Sequence, residues 1–143
     1  MGYRSDVEIA IYGEEEHMVA LIAAQRIEGA KWLEDEDYYD IRKYHITPYN
    51  KPDIKFSMVM IHASFQGIKW YDGYEDVDSW HKLLRDAQAE HLSDHLCTEF
   101  VRVGEESNDI VEYYEGDDVQ HYIYAVQSID NTLPVFEEEQ TNG

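Results

Sequence analysis

HLSDH, residues 91 to 95, sets two imidazoles four residues apart, with Asp94 between them and Cys97 close behind. On a helix that spacing puts both rings on one face, which is how paired histidines hold zinc or a similar ion. The glutamate of an HExxH hydrolase is missing, and Leu92 stands in its place. His91 also continues an apolar stripe through Val77, Trp80, Leu84 and Ala87, which favours a half-buried structural histidine, so no metal or other cofactor is assigned. The chain has no GxSxG elbow, no GxxxxGK[ST] loop and no GxGxxG turn. With thirty-one Asp and Glu, any pair of carboxylates picked from sequence alone is uninformative as an acid–base pair. The sequence therefore reads as a non-enzyme. The alternative is a small metal-dependent enzyme using His91, Asp94 and His95.

The acids recur in blocks that also carry tyrosines. Asp35, Asp37 and Tyr38 lie in EDEDYYD (34–40), and Asp72, Tyr74 and Asp76 lie in YDGYEDVD (71–78). Glu112, Tyr113, Tyr114, Glu115, Asp117 and Asp118 lie in VEYYEGDD (111–118). Local needs explain some of this: Glu14 to Glu16 and Glu75, Asp76 and Asp78 suit helix N-termini, and Asp117 and Asp118 suit a turn. They do not explain a formal net charge of −20, because solubility in a small domain needs a magnitude of only about 2 to 8. Excess like charge destabilises the compact state, so an offsetting use is expected. Carboxylates on a rigid face can take the places of phosphates before the Lys and Arg of a nucleic-acid-binding protein, and tyrosine supplies contact area at low entropic cost. These twelve residues are therefore expected to bind a basic host nucleic-acid-binding or defence protein by mimicking phosphate charge. In the adjacent pair Tyr113 and Tyr114, one ring should face the partner and the other the core.

The same charge disfavours direct binding to nucleic acid or to an anionic membrane, and leaves room for a homodimer. The single cysteine, Cys97, allows no internal disulfide, and the N-terminus lacks a basic n-region followed by an apolar run. A cytoplasmic location fits both observations.

Residues 1–136 are expected to form one acidic domain, with 137–143 a mobile acidic tail. Val7, Ile9 and Ile11 alternate with Asp6, Glu8 and Ala10, predicting a half-buried strand over 5–12, and a helix should follow to about Glu28 with Gly29 as its stop. Strands are expected at 41–47, from 54 onward with a bulge at Gly67, and at 99–103, 110–114 and 121–128. The second helix should start near Tyr74, and SND and EGDD should form turns. This order matches an α+β, split βαβ (ferredoxin-like) antiparallel sheet with two helices on one face and an added C-terminal β-hairpin.

The opening Gly2-Tyr3-Arg4-Ser5-Asp6-Val7 and the stretch IKWYDGYEDVDSW at 68–80 resemble a group of small, mostly uncharacterised phage and prophage proteins. The resemblance implies a phage gene, and with it an inhibitor of host defence of the anti-restriction or anti-CRISPR kind, several of which mimic nucleic acid. It also leaves room for a phage structural or assembly component. No catalytic or binding residues carry over from it. Arg4 is expected to form an internal ion pair that fixes the N-terminus.

Overall fold

Alternation in the first strand sorts its side chains onto two faces, and both faces are buried. A computed structural model describes residues 2–126 and 128–137. In it β1 is Ser5–Glu14, α1 Glu15–Glu28, β2 Tyr39–Ile46, β3 Phe56–Ile68, α2 Glu75–Ala87, β4 Leu96–Gly104, β5 Ile110–Glu115, β6 Ile123–Ala125 and β7 Ile129–Asn131, with a 3-10 turn at Lys31–Glu34. The fold is α+β. Five strands lie in the order β2-β3-β1-β4-β5, every neighbouring pair antiparallel, and β6 and β7 form a separate two-stranded hairpin.

On the first face Val7, Ile9 and Ile11 meet Met18, Leu21 and Ile22 of α1, Trp80, Leu83 and Ala87 of α2, and Trp32 of the 3-10 turn. Each fully buried side chain of this size contributes about 1.5 to 3 kcal/mol. Gly29 ends α1 in the left-handed region at φ 68, its N–H donating to the Arg26 and Gln25 carbonyls. The bulge falls where Gly67 predicts it. Ser5 pairs with Ile68 but Val7 with Phe65, so β3 carries one extra residue there, and the Gly67 amide donates to Asp6 Oδ1 at 2.8 Å.

The second face departs from expectation. Asp6, Glu8 and Ala10 should be solvated, yet Glu8 and Ala10 are buried and Asp6 is partly so, and Tyr12 on the same face is buried with them. Ala10 and Tyr12 join Tyr44, Met60, Cys97, Val101 and Ile123 in a second cluster, against which Val119, Tyr122, Leu133 and Phe136 pack. The chain after β5 thus returns across this face, and β1 is buried on both sides.

Two further expectations change. β5 adds to the edge of the main sheet through β4, whereas 121–128 shortens to Ile123–Ala125 and pairs with β7 instead of β5. Ile123 is wholly buried on the second face, and His121 before it takes a left-handed φ of 53 as the chain turns inward. The helix α2 stops at Ala87, so HLSDH lies in turns, not on a helix face. Of the expected tail, 138–143 lies outside the described residues, while Glu137 is held to the open edge of β2 by its amide on the Lys43 carbonyl at 3.0 Å. Arg4 fixes the N-terminus through the Gly67 carbonyl at 2.8 Å, a backbone partner in place of the expected carboxylate. Among the described residues, no helix is long and apolar enough to cross a membrane.

Candidate functional site

β5 runs along the outer edge of the sheet, so its alternate side chains stand on opposite faces and each face carries one tyrosine and one glutamate. Residues two apart on a strand share a face. The Tyr114 hydroxyl donates to Glu112 Oε2 at 2.8 Å, and the Tyr113 hydroxyl donates to Glu115 Oε2. This is the structural reason for rings among acids: each phenol holds a carboxylate in place without neutralising it. Tyr113 is 48% exposed, whereas Tyr114 is half-buried and packs on the second cluster. Its hydroxyl also lies 2.7 Å from the Ile123 carbonyl. Burial, then Glu112, raises the Tyr114 pKa, and the bond to Glu115, then burial, raises that of Tyr113. Both phenols are therefore neutral donors at physiological pH. Asp117 and Asp118 project from the turn after β5, both exposed.

The other two blocks come together beside the start of α2. Asp35 accepts from Trp80 Nε1 at 3.0 Å, and burial followed by the nearby charge of Asp76 raises its pKa. Asp37 and Asp76 are exposed, and Tyr38 stacks on Phe65 with ring centroids 5.0 Å apart. Tyr74 is the N-cap residue of α2 and packs edge-on against Tyr71. Asp72 lies 3.7 Å from His81 Nδ1. The expected acids thus form two patches, one at the α2 start and one on β5, which is the edge of the sheet opposite β2.

Among the described residues, five of the eleven Lys and Arg are ion-paired to carboxylates. Lys31, Arg42, Lys43, Lys82 and Arg102 are held by Glu34, Asp40, Glu15, Glu28 with Asp86, and Asp109. Among the described residues none of Asp35, Asp37, Asp72, Asp76, Glu112, Glu115, Asp117 and Asp118 has a Lys or Arg partner.

Among the described residues, the HLSDH side chains fall in no group of three clustered metal-ligating side chains. His91, Asp94 and His95 are all exposed, which corrects the expectation of a half-buried His91. The one group of three ligating side chains among the described residues is Glu14, Glu16 and His17, whose ligand atoms lie within 4.8 Å of one another at the start of α1. His95 stacks on His17 with centroids 3.9 Å apart, so its ring plane runs beside that imidazole and its lone pairs do not converge on the same point.

Sequence reasoning missed a cavity of about 420 Å3 between the mouth of the second face and the β2–β3 hairpin. Tyr12, Tyr44 and Tyr122 line it, with Glu14, Asp94 and Asp118 among its acids. Beside it Glu99 is wholly buried, accepting from the Tyr12 hydroxyl and from the Ile123 amide at 3.0 Å. A glutamate inside the apolar run LCTEFV was the signal available in the sequence, because a buried acid must find donors.

No protein-family model matches this chain, and no curated protein or solved structure matches it either.

Proposed function

We propose that this protein is an acidic interaction protein, phage-encoded and acting in the host cytoplasm, that inhibits a basic nucleic-acid-binding or defence protein by presenting carboxylates where that partner expects phosphates. The observation that carries this reading is the clustering of acids that, among the described residues, have no Lys or Arg within ion-pair distance: those of β5, of the turn after it and of the α2 start are held by neutral donors, face a histidine or stand in solvent. Charges held by phenols on a strand are fixed in position yet fully available to a guanidinium or ammonium. Val111 and Tyr113, 39% and 48% exposed, add apolar contact on the same strand. The strand order is read, with this function, as a split βαβ (ferredoxin-like) sheet extended by β5.

Capture from host lysate tests the reading. The protein should retain a basic nucleic-acid-binding protein, which duplex or single-stranded nucleic acid then releases in competition. Retention of partners that nucleic acid does not displace would contradict mimicry.

A further inference from the structure

The cavity on the second face has a chemistry of its own. The Tyr44 side chain is 1% exposed, and its hydroxyl has no hydrogen-bond partner among the described residues. The Tyr122 hydroxyl lies near enough to influence Tyr44 but does not reach hydrogen-bonding geometry. An orphaned buried hydroxyl is unfavourable, and a phenylalanine would pack the same wall without that cost. A ligand that completes the hydroxyl removes it.

The charge around the cavity selects the ligand. Glu99 lies behind the wall with only neutral donors, the Tyr12 hydroxyl and the Ile123 amide. It acts on Tyr12, Tyr44 and Tyr122 alike, as one of the groups that raise their pKa values. At the mouth Glu14, Asp94 and Asp118 have no Lys or Arg within ion-pair distance among the described residues, and no Lys or Arg lines the cavity. An anion is repelled by all of these groups. The rest of the lining mixes the polar Thr47, His95 and Gln120 with apolar Phe56 and Met58 beside the tyrosine rings, and such rings attract cations across their faces. A volume of about 420 Å3 is in the range of small-molecule sites.

We propose that this cavity binds an aliphatic ammonium ion, a mono- or diamine whose ammonium donates to the Tyr44 hydroxyl while its hydrocarbon stem lies against the Tyr12 and Tyr122 rings and the acids at the mouth hold its charge. This site shares Asp118 with the β5 surface but stands whether or not that surface binds a protein.

The test is a titration of the intact chain with 1,5-diaminopentane, followed by residue-resolved NMR at about 0.15 M salt to screen diffuse attraction. The neutral 1,5-pentanediol serves as control. Saturable shifts should appear at Tyr44, Tyr122 and Met58 with the diamine alone. Affinity should fall about tenfold in the Glu14→Gln/Asp94→Asn double variant and several-fold in Tyr44→Phe, which removes only the orphaned hydroxyl. The Glu112→Gln/Glu115→Gln/Asp117→Asn variant should bind the diamine as the parent does, and this separates failure here from failure of the β5 reading. Equal shifts with the diol, no saturation, or an affinity that follows the β5 acids instead of Glu14 and Asp94 would overturn the proposal.

Discussion

Tyrosine donates to glutamate in two places that share chemistry and differ in surroundings. On β5 the pairs Tyr113–Glu115 and Tyr114–Glu112 sit at the sheet edge with their carboxylates exposed. In the second core Tyr12 donates to Glu99, both buried, and the Tyr12 hydroxyl in turn accepts from the Gln120 amide at 2.8 Å. Water can replace a phenol at the edge but not in the core, so the same bond should matter little to stability in one place and much in the other. The edge pairs are then free to serve binding, while the buried pair fastens the returning C-terminal segment to the sheet.

Glu99→Ala strands the Tyr12 hydroxyl and the Ile123 amide and leaves a void, so urea denaturation should show a loss of about 3 to 5 kcal/mol. Tyr12→Phe should cost about 1 to 3 kcal/mol, since the Glu99 carboxyl and the Gln120 amide both lose a partner. A loss below about 0.5 kcal/mol in either variant would mean that water enters the second core. Next in size are opposite pH effects in the two patches and their surroundings. The Arg102 guanidinium, then the Tyr3 hydroxyl, holds Asp109 down at about 2. Its contribution to stability is therefore full above about pH 4 and is lost as pH falls through the folded value. Asp35 is raised by burial and by Asp76, so its charge opposes folding at neutral pH and acidification relieves the penalty. Thermal melts should show Asp35→Asn at least as stable as the parent at pH 7, with the difference gone near pH 4, and Asp109→Asn less stable at pH 7, with its deficit shrinking toward pH 2. The reverse order for either variant would show that the local partners are misassigned. Smallest of all, Tyr113→Phe should change stability by no more than about 0.5 kcal/mol.

Local rules carried the first face and failed on the second. The period of Val7, Ile9 and Ile11, the left-handed stop at Gly29 and the bulge at Gly67 are properties of a few adjacent residues, and each was legible. Whether Ala10 and Tyr12 meet water depends on a segment more than a hundred residues away, and alternation with a glutamate gave no hint of it. The end of α2 misled for a related reason. The stripe through Ala87 extends to His91 in the sequence, but Leu92, 7% exposed, joins the first core from a turn, leaving His91 outside. The acid blocks were visible as composition; that the phenols hold carboxylates two residues away, and that Tyr44 and Glu99 border a cavity, required the strand register and the returning chain.

The unneutralised acids of β5 and its turn are proposed to bind a basic partner. The most direct measurement is the affinity of the captured partner for the parent chain and for Glu112→Gln/Glu115→Gln/Asp117→Asn/Asp118→Asn across a range of salt. The variant should keep the parent's fold, lose at least about tenfold in affinity and show a flatter decline of affinity with salt, because several charge contacts have been removed. An unchanged affinity with an unchanged salt slope would contradict the account and reduce this segment to a solvated edge strand.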